Sequence, residues 1–482
     1  LKKMKLQNFI NGSFVNPDDN EFIANYCPAT GNEYGKVPDS KASDVEKAVE
    51  AAQTAFPSWS KMPPIERSKF LYKIADLVEK RIDAFAEAES KDQGKPVWLA
   101  KAIDIPRVVS NFRFFAGAIL HHEEMSSQIN DNMISYTIAQ PVGVAGLISP
   151  WNLPLYLLSW KIAPAIACGN TCVCKPSEFT SVTAHMLCQV FIDVGLPKGV
   201  VNVVFGRGAH AGSALVSHSK VPLISFTGGT VTAKTIASIA GPMFKKLSLE
   251  LGGKNPNIIF NDADLDKAIE RTKFSSFANQ GEICLCGSRI FVQKGVYNEF
   301  VEKFVALTKK IIVGNPENKD SFMGALVSAQ HLEKVASYAK IAIEEGGKIL
   351  VGGEKPKIKG FENGYWFTPT IISDLKTTSR CMQEEIFGPI VTICPFETED
   401  EVVEYANGVQ YGLSASVWTR DVSRAHRIAR RIEAGTVWVN CWLLRDLRVP
   451  FGGVKDSGVG REGGKYSIEF FTELKTVTIA ID

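Results

Sequence analysis

The stretch Val142-Gly143-Val144-Ala145-Gly146-Leu147-Ile148-Ser149-Pro150-Trp151-Asn152-Leu153-Pro154 decides the fold. An apolar run of strand length stops at breaker residues and feeds a second apolar segment, which reads as a buried strand, a turn and a buried helix. No residue from Asn132 to Trp160 is charged, a length that could cross a bilayer. Gln140-Pro141, two glycines, Ser149-Pro150, Asn152 and Pro154 would break such a helix and leave polar groups in lipid, so no membrane association is expected.

The same rhythm continues outward. Apolar runs at 142–148, 171–174, 200–204 and 223–226 alternate with helical patterns at 161–167, 182–194 and 209–216, the pattern of a parallel sheet with crossover helices. A second alternating region places strands at 257–260, 289–292, 391–396 and 436–439 around helices near 297–310, 329–345 and 422–431. The N-terminal quarter reads as mostly helical: 43–55 opens with the capping box Ser43-x-x-Glu46, and 64–89 carries Phe70, Ile74, Leu77, Val78, Ile82 and Phe85 at helical spacing. Segments 133–140 and 476–481 alternate like strands but fit neither region, and such edges invite pairing across subunits.

A chain of 482 residues, 45% hydrophobic and 22% charged, buries a substantial core and divides into two or three domains. Lys plus Arg number 54 against 52 Asp plus Glu, with no long basic block, which argues against nucleic-acid binding. The ten cysteines have no framework spacing, and Leu1-Lys2-Lys3-Met4-Lys5 runs directly into Asn8-Phe9-Ile10-Asn11-Gly12 without a signal peptide's apolar run, so reduced thiols in the cytoplasm are expected. Cys172-x-Cys174 and Cys284-x-Cys286 lack zinc-site spacing and a nearby His, and no metal is expected.

Chemistry concentrates in Asn279-Gln280-Gly281-Glu282-Ile283-Cys284-Leu285-Cys286-Gly287 and in Leu249-Glu250-Leu251-Gly252-Gly253-Lys254. A nucleophilic thiol and a water-activating carboxylate on separate segments point to covalent acyl transfer. With Pro150-Trp151-Asn152, Lys175-Pro176-Ser177-Glu178, Phe226-Thr227-Gly228 and Glu384-Glu385-Ile386-Phe387-Gly388-Pro389, these segments resemble, over nearly the whole chain, the NAD(P)-dependent aldehyde dehydrogenase superfamily.

That resemblance implies Cys284 as nucleophile, Asn152 and the Cys284 N–H as oxyanion donors, and Glu250 as the base that activates water against the thioester. For NAD it implies Lys175 and Glu178 at the adenosine ribose, where a carboxylate favours NAD over NADP. Gly206-Arg207-Gly208 with Gly212, and Phe226-Thr227-Gly228-Gly229, fall at the phosphates. Glu385 and Phe387 fall at the nicotinamide ribose and ring, and Ile148, Trp151 and Leu251 are further cofactor-binding residues. Gly229 stands where Ser is usual and Ala233 where Gly is usual, leaving no hydroxyl at 229 for the diphosphate.

The implied fold is α/β: a Rossmann-like doubly wound NAD domain from 1–120 and 142–251, a second α/β catalytic domain at 252–452, and a small β oligomerisation element from 121–141 and 453–482, serving a homodimer or homotetramer. Arg107, Tyr156 and Arg445 fall in segments that line the family's substrate tunnel, and paired guanidinium groups would clamp a carboxylate. A surface ion pair, such as Arg445 with Asp446, is the plainer alternative. Ile105-Pro106-Arg107, the 145–158 run, Glu282 and Asn440-Cys441-Trp442-Leu443 most resemble the subfamily acting on 2-aminomuconic semialdehyde, implying oxidation of a carboxylated semialdehyde in the kynurenine branch of tryptophan breakdown. Broad-specificity, betaine-aldehyde and retinal oxidation are the rival activities, and a catalytically idle, crystallin-like member is the rival of another class.

Overall fold

The structure, a computed structural model, describes residues 4–481. The opening Leu1-Lys2-Lys3 and Asp482, which close the expected end ranges, lie outside the described residues.

The stretch from Val142 forms the strand Val144–Ile148, then a loop, then the helix Pro154–Ala167. This strand is flanked on one side by Leu223–Thr227 and Lys246–Glu250 and on the other by Thr171–Lys175 and Val201–Val203, all parallel. In chain order these five strands lie 3-2-1-4-5, so the winding reverses at Val144–Ile148. Reversal opens a crevice beyond the carboxyl ends of the strands, the usual ligand position in doubly wound sheets. Antiparallel strands finish the eight-stranded sheet: Asn8–Ile10 and Ser13–Val15 at one edge, Gly458–Val459 at the other.

Alternation of side chains explains why both faces are apolar. Ala145 and Leu147 pack with Phe112, Phe115, Trp160 and Leu187 on one face. Val144 and Ile148 pack with Val45, Val49, Leu215 and Ile236 on the other. A second, seven-stranded sheet runs Lys348–Val351, Thr370–Ser373, Ile390–Phe396, Arg289–Gln293, Pro256–Ile259, Ser414–Trp418 and Thr436–Val439, parallel except for its first strand.

Four expectations need correction. The strands Lys246–Glu250, Thr370–Ser373 and Ser414–Trp418 were not foreseen, because serines, threonines and terminal charges interrupt their apolar pattern although most of these residues are buried. The Ser43/Glu46 capping box does not form: the helix Ala42–Lys61 begins earlier, and the Asp44 carboxylate accepts the Lys41 N–H at 3.0 Å. The N-terminal quarter is mostly helical, as expected, but 64–89 divides at Arg81 into two helices, and Met4–Lys5, Phe22–Cys27 and Asn32–Pro38 form a separate sheet. Finally, the unplaced segments pair within the chain, Thr472–Ala480 antiparallel to Met133–Pro141 over nine residue pairs, with Ser126–Asn130 beyond. Among the described residues, no helix is long and apolar enough to cross a membrane.

Candidate active site

Cys284 sits on a loop held in an uncommon conformation. Asn279, Gln280 and Gly281 are successively left-handed, at φ 51°, 56° and 71°. Such backbone costs of order 1 kcal/mol or more per non-glycine residue and persists only where surroundings fix it. Here Asn279 Nδ2 donates to the backbone oxygens of Asn152 and Glu282, both at 3.2 Å, and Gln280 Nε2 donates to Ala325 O at 3.3 Å. Asn255 Nδ2 donates to Cys284 O at 2.7 Å. Among the described residues no backbone acceptor takes the Cys284 N–H, which leaves that donor available.

Two cavities meet at the thiol. One, of about 270 Å³, brings together ten expected residues: Trp151, Asn152, Thr227, Gly228, Gly229, Glu250, Leu251, Cys284, Glu385 and Phe387. Trp151, Asn152, Thr227 and Glu250 lie at or just past strand ends of the first sheet, while Cys284, Glu385 and Phe387 lie in loops that lead into strands of the second. Glu385 Oε1 accepts the Gly253 N–H at 3.0 Å, and a Cβ on Gly252 would lie 2.1 Å from Glu385 Oε2, so the paired glycines admit this carboxylate. Phe387, at φ 63°, meets Trp151 edge-on at 5.2 Å. Ile148 and Phe226 are buried in the core behind this cavity. Lys175 and Glu178 pair at 3.0 Å at the end of the second strand, apart from the cavity. Gly208 and Gly212 bound a helical turn and have open space where a Cβ would stand. Open glycines at helix starts, a carboxylate at the end of the second strand and a cavity of mixed polar and apolar lining that reaches the thiol fit a dinucleotide.

The other cavity, about 40 Å³, is a tunnel between Cys284 and Arg445 walled by Tyr156, Trp160, Phe274 and Phe451. Arg445 Nη1 donates to Tyr156 Oη at 3.2 Å, and its guanidinium lies 3.7 Å from the Phe451 ring centre. Arg107 lies over the rings of Tyr156 and Trp160 at 5.3 and 5.8 Å, and its buried Nε has no hydrogen-bond partner. Asp446 pairs with Arg448, not Arg445, so the surface ion pair is not formed. Among the described residues neither Arg107 nor Arg445 has a carboxylate partner within 4.0 Å, although burial and the Arg445 charge both press the Arg107 pKa down.

A model of the aldehyde dehydrogenase family matches residues 14–477. The chain belongs to the aldehyde dehydrogenase family. It is an enzyme that oxidises aldehydes. Similar proteins include the 2-aminomuconic semialdehyde dehydrogenase of Danio rerio, 56% identical over 99% of each chain. The human protein of the same name is 55% identical over 99% of this chain and 98% of that one. Among solved structures, the NAD+ complex of an aldehyde dehydrogenase from Bacillus cereus superposes with a TM-score of 0.97 at 39% identity, covering 99% of this chain and 97% of that one.

Electrostatics set the resting state of this aldehyde dehydrogenase. Burial, then the Glu385 and Glu250 carboxylates, push the Cys284 thiol well up, with Arg445 pulling the other way. Burial, then Glu462, hold Glu250 well above the ordinary carboxylate range, against Lys161, Arg445 and Arg461. Glu250 Oε1 is buried without a partner, and the group serves as a base once ionised.

Sequence reasoning missed the support behind these groups. Lys161 donates to Ser225 Oγ at 2.9 Å and Glu462 Oε1 at 3.0 Å, a buried pair that biases Glu250. His331, kept neutral with its pKa lowered by burial to about 4, lies 2.7 Å from Phe387 O through Nε2. Lys161 fell inside an apolar helix pattern, where a lone lysine gives no signal of its partner 301 residues away.

Proposed function

We propose that the enzyme oxidises a carboxylated semialdehyde, 2-aminomuconate 6-semialdehyde, to 2-aminomuconate with NAD+, in the cytoplasm and in the kynurenine branch of tryptophan catabolism. The observation that carries this is Arg445 in the tunnel wall with Arg107 packed against the tunnel residues Tyr156 and Trp160, neither guanidinium paired with a carboxylate. Two desolvated like charges repel and are costly unless an anion joins them. The names of the relatives at 55–56% identity support the same substrate class.

The chemistry follows from the two cavities. The Cys284 thiol gives up its proton to solvent, and sulfur adds to the aldehyde carbon that the arginines have oriented. Asn152 Nδ2 and the Cys284 N–H stabilise the resulting oxyanion. NAD+, when bound, supplies the hydride acceptor, held by Trp151, Glu385 and Phe387 at one end and Lys175 and Glu178 at the other. Glu250 then takes a proton from water, which attacks the thioester carbon and releases the acid and the thiol. A quaternary ammonium aldehyde would meet two repelling cations, and the intact site argues against an idle structural protein.

The same proposal assigns the doubly wound sheet to NAD, the second sheet to catalysis, and the three-stranded sheet of 126–141 and 472–480, largely exposed, to a homodimer or homotetramer contact. The test is NADH formation with a muconic semialdehyde against an uncharged aldehyde of similar length. A large kcat/KM preference for the former is expected. Equal values would return the chain to a general aldehyde dehydrogenase.

A further inference from the structure

We propose that Lys95 and Gln93 are positioning residues for the oxyanion site, acting through a closed ring of hydrogen bonds that includes Asn152 and Glu282. This rests on the reading of Asn152 as an oxyanion donor. Lys95 Nζ donates to Asn152 O at 3.0 Å, and Asn152 Nδ2 donates to Glu282 O at 2.9 Å. Gln93 Nε2 donates to Glu282 Oε2 at 2.6 Å, and the Lys95 N–H donates to Gln93 Oε1 at 3.0 Å, which closes the ring. Relative exposure is 0% for Gln93, Lys95 and Glu282 and 2% for Asn152, so no water competes for these bonds.

The ring constrains Asn152 from both ends. An amide nitrogen has two N–H groups. Glu282 O takes one, which fixes the direction of the other toward the thiol's cavity, while Lys95 anchors the residue's own backbone. Glu282 is in turn held by the Val327 N–H at 3.1 Å, two residues before the nucleophile. A misplacement of about 1 Å in such a donor can cost on the order of 10²-fold in rate.

The ring also reaches the substrate end. Lys95 forms a buried ion pair with Asp104, the last residue of the π-helical turn Ala100–Asp104. That turn runs directly into the helix Ile105–Ala118, which carries Arg107. Desolvating an ammonium costs several kcal/mol. The partners that offset it here are a carboxylate on the arginine's element and a carbonyl on the oxyanion loop. Lys95 therefore holds the carboxylate clamp and the oxyanion donor in one frame.

The test is a pair of double-mutant cycles in the full-length enzyme with the muconic semialdehyde: Lys95→Met and Gln93→Leu, each alone and with Asn152→Ala. Each single change is expected to lower kcat about 10-fold or more while KM for NAD+ moves less than about 3-fold, and Asn152→Ala about 10²–10³-fold. Each double variant should be no slower than Asn152→Ala alone, within about 2-fold. Losses that multiply, or a change confined to melting temperature, would overturn the proposal. If Lys95→Met fails to fold, the Gln93→Leu cycle decides by the same criterion, since it leaves the Lys95–Asp104 pair intact. Full activity in Asn152→Ala would instead remove the oxyanion reading itself, and this inference with it.

Discussion

On the cofactor side of Cys284 most charged and polar groups away from Glu250 already have partners: Glu385 takes the Gly253 N–H, Glu178 pairs with Lys175, and His331 meets the Phe387 carbonyl. On the tunnel side Arg107 and Arg445 meet aromatic rings and a phenol and are paired with no carboxylate, although Glu250 and Glu462 also line that cavity. A region whose charged groups are mostly paired without ligand suits a cofactor common to a family. A region whose guanidinium groups lack a paired carboxylate suits one class of substrate and rejects others, because the partner must arrive with the ligand.

The largest effect should strike where the regions meet. Cys284→Ala is expected to lower kcat by roughly four orders of magnitude or more, with NAD+ affinity by fluorescence titration nearly unchanged. Substantial turnover without the thiol would mean that the two cavities do not share a nucleophile.

Next is Glu250, which borders both cavities. Glu250→Gln should lower steady-state kcat about 10²–10⁴-fold yet keep a stoichiometric first burst of NADH, because acylation precedes hydrolysis. The sign of its pH dependence follows from the raised pKa. The base works only when ionised, so kcat should rise with pH through a value well above the ordinary 4.5 of a glutamate. Glu462→Gln removes a charge that raises this value and should move the limb to lower pH; Lys161→Met removes one that lowers it and should move the limb higher. Limbs that stay in place in both variants would show that Glu250 is not the titrating group.

The contrast also explains what the sequence made legible. Strands buried on both faces, such as Val144–Ile148, announce themselves as apolar runs, and the motifs at Asn152, Cys284 and Glu385 sit in loops. Lys246–Glu250 escaped because Lys246, Ser248 and Glu250 interrupt its apolar pattern, although Ser248 and Glu250 are buried. Lys95, Gln93, Lys161 and Glu462 escaped for another reason. Their function lies in pairings across 57 to 301 residues, and a buried lysine reads in sequence like an exposed one.

Within the tunnel, Arg107→Ala and Arg445→Ala should each weaken kcat/KM for the carboxylated semialdehyde by about 10–100-fold, the span of roughly 1.5–3 kcal/mol for a charge-assisted hydrogen bond. For an uncharged aldehyde of similar length the change should stay within about 3-fold. The loss should appear mainly in KM, since the carboxylate contact is made equally in ground and transition states. Equal losses on both aldehydes would assign the arginines to packing against Tyr156, Trp160 and Phe451.

The smallest effect belongs to the far end of the cofactor side, and it asks whether that region is as indifferent to substrate as its complete pairing implies. Glu178 is only partly buried, its side chain 26% exposed, and its bond to Lys175 at 3.0 Å holds it at the end of the second strand. A carboxylate there accepts from ribose hydroxyls and repels a 2′-phosphate. Glu178→Gln keeps an acceptor, removes the repulsion and leaves Lys175 free to meet the phosphate, so the NAD-to-NADP ratio of kcat/KM should fall by about 10-fold. Partial exposure means salt should shrink the difference, which a titration from low ionic strength to about 0.15 M would reveal. The ratio between carboxylated and uncharged aldehydes should not move. If it moved with the cofactor ratio, the two cavities would be coupled through the sheet, and the separation between a generic cofactor side and a selective tunnel would fail; if neither ratio moved, Glu178 would not be reading the ribose.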